Sequence, residues 1–515
     1  MDAAGRPTSA QDPAPRLAEV VAAFSLAADL GLGQPMEHTL RSCLIATRIA
    51  DALDLVRREQ DSTYWVTLLA MVGCTANSYE MRALFGDDIS LRAGMYGLGP
   101  SQMDMAGYFM SLAESEHGAG AGDELMATEM RPVMEALVAD CQIAGAFAER
   151  LGFSEEVSVA LQQKFARWDG TGIPPGLGGD EIPLPARVLG LSWRLEAEHR
   201  VNGIDAALEL AQNHAGATVD PNLVELVGSA AAEIFDGIDE ESWEAVVAAE
   251  PARARLTGGE FDAAVEALGD FADLKSPWFT GHSRAVAELG EAAAWRLGLE
   301  EPDVILVRRA ALAHSLGRSG VPNTVWDKAG PLTHAERERM QLYPYFTDRI
   351  LRRGSLTQLA DVASASQERL DGSGYPRGLP GAAIPPTGRV LAAADAYQSM
   401  CERRPHRPAM SADEAAEHLR AEARDGRLDS EAADAVLAAA GHRTERRRPA
   451  TPANLTPREV EVLRLIARGL TSADAARELG IQPKTVGTHI EHIYAKIGAS
   501  NRSVATVFAM QHGIV

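Results

Sequence analysis

Six residues near the C-terminus, Lys484, Thr485, Thr488, His489, Glu491 and His492, carry the donors and acceptors that a DNA duplex can partner. A lysine meets a phosphate or a guanine edge, threonine meets several edges, and a glutamate accepts from a cytosine amino group. Their spacing matters as much as their type. Val486, Ile490, Ile493 and Ile497 recur at steps of four, three and four, which predicts a helix burying that stripe. Lys484, Thr488, Glu491 and His492 then share the opposite face, with Gly487 and His489 at its margins. Lys484 and Thr485 stand at the N-terminal end, where phosphates and base edges are met.

Three helices must position that face. Glu459 to Arg468 is closed by Gly469, Ser472 to Leu479 by Gly480, and Pro483 to Ile497 by Gly498. Pro483 suits a first helical turn, where its missing N–H is no loss. A helix, a glycine-containing turn and a second helix make a helix-turn-helix, whose later helix enters the major groove. The segment resembles the LuxR-type helix-turn-helix family through LTPREVEVL, the Gly469-Leu470-Thr471-Ser472 turn, A-x-x-L-G-I and K-T-V-x-x-H-I, over nearly all of 455–510. The resemblance implies dimeric binding to a pseudo-palindromic double-stranded operator, with Arg502 to Gln511 as the dimer contact. Val504 and Phe508 would supply its apolar stripe, or pack on the module's own core. Family members often carry a basic residue near 487 or 491; here Gly487 and Glu491 occur. Phosphate contacts are then expected from Lys484, His489, Lys496, Arg502 and the run Arg446, Arg447, Arg448.

The charge distribution fits a tethered reader. Residues 441–515 hold 11 Lys+Arg and 6 Asp+Glu, a net +5, so residues 1–440 hold −23 − 5 = −28. DNA would repel that body and attract the tail. A chain of 515 residues allows several domains, and only 5% is aromatic, in keeping with a mainly helical fold. No apolar run is long enough for a membrane span, and the N-terminus lacks a secretory core, so a cytoplasmic location is expected. Cys43, Cys74, Cys141 and Cys401 lack C-x-x-C spacing and read as ordinary reduced thiols.

The body is duplicated. RWDGTGIPPGLGGDEIPLPARVLGLSWRLEA at 167–197 matches RLDGSGYPRGLPGAAIPPTGRVLAAADAYQS at 369–399, and His38 matches His282. The first copy has about forty extra residues, placed between Gly86 and Gly122. Both copies resemble the HD-GYP family, helical metal-dependent phosphohydrolases. The second matches better, through GHSRAVAELGEAAAWRLGL, AALAHSLGRSGVP, DGSGYP and RVLAAADAYQSM. The resemblance places His282, His314 and Asp395 at metal-ligand positions. Ser315, however, replaces the aspartate after His314, Tyr343 replaces a histidine, and Ser366 and Gln367 stand where histidines are usual. Such side chains are poor ligands for divalent first-row ions. His282, His314 and Asp395 are left as holders of a single divalent metal, or as a hydrogen-bonded remnant with no cofactor. In the first copy Ala70 and Met71 replace the His-Asp pair and Trp193 the late aspartate. Met71, Phe165 and Trp193 are expected to fill the old cavity. His334, His406 and His442 are expected to be loop histidines without partners.

A site without its metals can still bind. Arg318, Arg369, Asp371, Gly374, Tyr375 and Arg377 are expected around an anionic small-molecule ligand. The fold expected is mainly α: a lead-in at 1–15, HD-GYP-like domains at 16–265 and 266–441, a linker at 442–453 and the helix-turn-helix at 454–515. The function expected is a non-catalytic, dimeric, DNA-binding regulator, with a metal-dependent phosphodiesterase acting on a cyclic dinucleotide as the alternative.

Overall fold

The computed structural model describes residues 14–442 and 452–514, apart from 97, 99, 100, 129, 254, 500 and 513. The expected lead-in up to residue 13 and the Arg446, Arg447, Arg448 run lie outside the described residues. Regular structure among the described residues is helical, with only isolated β-bridges beside it. The chain divides into two units, 1–442 and 443–515.

Each repeat of the body opens on a helix whose buried aspartate caps the next. Asp29, in Leu17–Gly31, accepts from the Thr39 backbone N–H (3.2 Å) and hydroxyl (2.5 Å). Asp273, in Gly258–Asp273, accepts from the Ser283 N–H (2.9 Å) and hydroxyl (2.8 Å). These bonds satisfy first-turn donors of His38–Ala52 and His282–Leu297, whose N-cap side chains supply none. The helix Gly258–Asp273, which spans the expected boundary at 265, has the part in the second repeat that Leu17–Gly31 has in the first.

A third helix in each repeat, Arg57–Leu69 or Glu301–Ala313, runs into a 3-10 turn, Val72–Thr75 or Leu316–Gly320. Glycine is required there. A Cβ on Gly73 would lie 2.0 Å from the Asp140 carbonyl, and one on Gly317 2.0 Å from the Tyr343 carbonyl. Asp140 and Tyr343 are thus structural counterparts. One continuous apolar core runs from Ala18 to Leu437, so the repeats share an interior.

The extra segment of the first repeat folds as Ser78–Phe85, Asp88–Met95, Gln102–His117 and Ala121–Ala127, with its own small core around Phe85 and Phe109. Buried Asp88 ties it to the second repeat. Its carboxylate accepts from Lys275 Nζ (2.7 Å), Arg92 (2.9 Å) and the Asn323 N–H (2.7 Å).

The tail forms Pro457–Ala467, Ser472–Leu479, Pro483–Ile497 and Arg502–Gln511. Thr456 and Glu459 make a capping box, and Gly480 and Gly498 close their helices with left-handed φ of 65° and 67°. Val486 and Ile493 are fully buried, with Ile490 and Ile497 packed at the edge of the same core. Phe508 packs on that core too, while Val504 stays 44% exposed.

Candidate functional site

In the second repeat, His282 starts its helix, His314 ends another, and Asp395 lies within Pro386–Cys401. All three are buried, and one donor atom from each lies within 4.8 Å of the others. His314 Nδ1 donates to the Ala311 carbonyl (2.6 Å), leaving Nε2 toward the centre, where the Ser315 hydroxyl reaches it at 3.1 Å. His282 Nε2 meets Asp395 Oδ1 (3.1 Å) and its Nδ1 meets Glu402 (2.8 Å). Burial and the Arg318 charge oppose protonation of His282, yet its bonds to the two carboxylates outweigh them and raise its pKa. Burial alone would raise the Asp395 pKa as well; the two histidines instead hold it well below the usual carboxylate range. Glu402, also bonded to Arg404 (2.7 Å), is lowered to about 2, burial being outweighed by His282.

The donor set fits one divalent ion, not two. Two imidazoles and a carboxylate are a recognised set for a single ion, and outward Nδ1 bonds are the support such ligands use. A second ion would find Ser315, Tyr343 and Gln367. Gln367 turns its amide nitrogen onto Asp395 and receives the Tyr375 hydroxyl (3.1 Å).

Arg318 stands beside this centre, 4% exposed, its guanidinium 4.2 Å from the Phe279 ring and 5.6 Å from Tyr343. Its Nε and Nη1 are buried with no hydrogen-bond partner among the described residues. The DGSGYP loop divides in role. Tyr375 reaches the centre through Gln367. Asp371, expected at a ligand, is exposed and closes its own turn by accepting from the Ser373 N–H (3.0 Å) and hydroxyl (2.6 Å). Gly374 is there for packing, since a Cβ would lie 2.3 Å from the Arg369 nitrogen. Arg369 donates to the Glu368 carbonyl (2.8 Å) and Arg377 to the Ser364 hydroxyl (3.0 Å). Of the six expected ligand residues, Arg318 and Tyr375 are at the centre.

Among the described residues the first repeat has no such trio, and its interior is not simply apolar as expected. Trp193 packs against Phe165 (6.3 Å between rings) and against Tyr96 (6.0 Å), which the extra segment delivers onto His38 (5.2 Å). Met71 lies 3.8 Å from the Cys74 sulfur. The buried Lys164 ammonium, however, donates to the Ala70 carbonyl and lies 3.5 Å from the Asp140 carbonyl. His38 pairs with Glu196, which also receives Arg41 (2.7 Å). Sequence reasoning missed Tyr96, Asp140, Lys164, Glu196 and Glu402. Counterparts could have been read for Asp140 and Lys164, at the positions of Tyr343 and Ser366, once the extra segment was placed. His442, expected to be unpartnered, bonds the Tyr397 hydroxyl (2.8 Å), and His334 lies 3.3 Å from Glu338.

On the tail, Lys484, Thr485, Thr488, Glu491 and His492 are exposed and His489 half-buried. Two expected phosphate contacts are engaged within the module. Lys496 donates to nearly buried Glu459 (2.7 Å), and Arg502 caps the first helix through the Ile466 carbonyl (2.8 Å).

Comparison with known proteins agrees with this architecture. The HD domain profile matches 101–223 and 266–432, more than half of the chain, and the profile of bacterial regulatory proteins of the luxR family matches 453–509. The chain belongs to the HD-domain family, as a tandem HD-GYP protein with a LuxR-type helix-turn-helix. The 3'3'-cGAMP-specific phosphodiesterase 3 of Vibrio cholerae is 30% identical over 410 residues, 78% of this chain and 89% of that protein. The crystal structure of a V. cholerae cyclic GMP-AMP specific phosphodiesterase matches with a TM-score of 0.60 and 26% identity, over 84% of this chain and 99% of that one. A putative HTH-type transcriptional regulator of Mycobacterium bovis is 44% identical over 70 residues, 13% of this chain and 8% of its own. No helix among the described residues is long and apolar enough to cross a membrane.

Proposed function

We propose that this chain is a dimeric DNA-binding regulator whose second HD-GYP repeat holds an anionic small molecule, of the cyclic dinucleotide class, without hydrolysing it. The observation that carries the ligand is Arg318: a buried guanidinium whose Nε and Nη1 lack hydrogen-bond partners among the described residues, beside a centre stripped of most ion-binding side chains. Desolvated donors of that kind are satisfied by a phosphate. The relatives named for cyclic GMP-AMP suggest the ligand class. Output passes through the recognition helix, where Lys484, Thr485, Thr488, His489, Glu491 and His492 read the operator. Lys496 and Arg502 are left out of that set because the module's own fold employs them. A ligand controls DNA binding only by favouring one arrangement of the chain over another. The test is selection of bound fragments from a genomic DNA library, with and without cyclic GMP-AMP. Recovery of a defined site that shifts with nucleotide is expected; retention of no fragment refutes the reading.

A second reading rests on the convergence of His282, His314 and Asp395. One ion there would activate water for attack on a phosphodiester, with Glu402 and Ala311 orienting the imidazoles. Turnover in manganese or iron that His314→Ala abolishes would establish it.

A further inference from the structure

The turn that precedes His282 carries two aromatic rings, and a loop rich in arginine packs against it. Trp278 and Phe279 belong to the 3-10 turn Pro277–Phe279, and the loop that follows Pro386–Cys401 supplies Arg403, Arg404 and Arg407. Two of these arginines are spent on the fold. Arg407 donates to the Met400 and Glu402 carbonyls (both 3.1 Å). Arg404 donates to the Trp278 carbonyl and to Glu402 (2.7 Å), the carboxylate that also bonds His282. Arg403 is different. Its side chain is exposed and makes no ion pair or hydrogen bond among the described residues, yet its guanidinium lies 5.3 Å from the Trp278 ring.

Trp278 is half-buried, and its indole N–H has no hydrogen-bond partner among the described residues. The pair adjoins the second-repeat centre, because Arg404 lies 5.1 Å from the Phe279 ring and Arg318 lies 4.2 Å from the same ring. The carboxylates nearby are already engaged, Glu402 by His282 and Arg404, Asp395 by His282 and Gln367. The first repeat lacks both members. Aligned through His38 and His282, Gln34 stands where Trp278 does, and the match of 167–197 with 369–399, carried four residues on, sets Val201 opposite Arg403. Gly73 and Gly317, aligned likewise, set Cys74 opposite Arg318. The ring, its unpaired cation and the buried guanidinium therefore occur together in one repeat and are replaced together in the other.

We propose that Trp278 and Arg403 form a nucleobase subsite at the rim of the second-repeat site. The base lies against the indole face with the Arg403 guanidinium on its other side, while Arg318 takes a phosphate. Every base offers a π face to an aromatic ring, and a guanidinium stacks on such faces as well. The subsite rests on the reading that Arg318 holds a nucleotide, and it adds what that reading leaves open, how a nucleotide is told from a bare phosphate.

Equilibrium binding to the purified full chain is measured with two probes, cyclic GMP-AMP and inorganic pyrophosphate, which has no base. Trp278→Leu weakens cyclic GMP-AMP binding by about tenfold or more and leaves pyrophosphate affinity unchanged. Trp278→Phe, which keeps a flat ring, recovers part of the loss. Arg403→Gln also weakens cyclic GMP-AMP binding, with Tm unchanged, so the subsite is tested even if Trp278→Leu fails to fold. Cyclic GMP-AMP bound at parental strength by Trp278→Leu or by Arg403→Gln overturns the subsite, and so does a loss shared equally by pyrophosphate. Arg318→Ala separates the two readings. A parental chain that binds neither probe refutes the reading of the second repeat and this subsite with it, whereas loss of both probes in Arg318→Ala with no loss in Trp278→Leu refutes the subsite alone.

Discussion

Lys484 and Lys496 lie on one helix with the same charge and opposite assignments. Lys484 is exposed at the N-terminal end with no ion pair among the described residues, whereas Lys496 holds Glu459, itself 5% exposed and part of a capping box. Lys484→Ala is expected to leave Tm unchanged and to lower the slope of log affinity against log salt by about 1. Lys496→Ala should do the reverse. It lowers the stability of the module by about 1 kcal/mol, the pair being screened by solvent on the lysine side, with little change in salt slope. Binding titrations at several salt concentrations, paired with thermal melts, separate the two. Gly487 offers a third contrast. A Cβ there would meet nothing within 4 Å, so Gly487→Ala should stabilise the helix by about 0.5–1 kcal/mol, readable by chemical denaturation. The sequence pattern marked Lys484 because its period is local. It set Lys496 among the phosphate contacts, because the partner that engages it lies 37 residues away.

The elements differ in how far the sequence discloses them. Helix ends in the tail were legible because Gly469, Gly480 and Gly498 act locally, and the repeat was legible because RWDGTGIP and RLDGSGYP align. The interior of the first repeat was not. Tyr96 arrives from the extra segment, and Lys164 and Asp140 meet only when the chain is folded. Glu402 was overlooked for a related reason, since it lies just past a helix end and meets His282 across 120 residues. The extra segment is pinned by Asp88, where burial would raise the pKa but Lys275 and Arg92 bring it down to about 2. The sign follows from its ordinary value of 3.8. The folded state binds fewer protons between those limits, so this carboxylate stabilises fully above pH 3.8, and its contribution is lost as pH falls toward 2. Asp88→Asn leaves Lys275 and Arg92 buried without their anion and should cost about 3–5 kcal/mol. Denaturant unfolding of the full chain at neutral pH measures it, and the variant's stability should vary less than the parent's below pH 3.8.

At the scale of the whole molecule, a body of net charge −28 is joined to a tail of +5. An acidic body keeps weak, sequence-independent DNA attraction low, so operator binding depends on the tail's own contacts and responds steeply to salt. Coupling is reciprocal: if a ligand in the body changes operator affinity, operator DNA must change ligand affinity by the same factor. In the proposed function the second repeat retains an anionic ligand it does not consume. Equilibrium binding of labelled cyclic GMP-AMP to the purified full chain in manganese, followed by chromatography of the released label, tests it most directly. Intact nucleotide recovered in full, with binding lost in Arg318→Ala, is the expected result. Linear dinucleotide accumulating over time in the parental protein, and absent from His314→Ala, would contradict it.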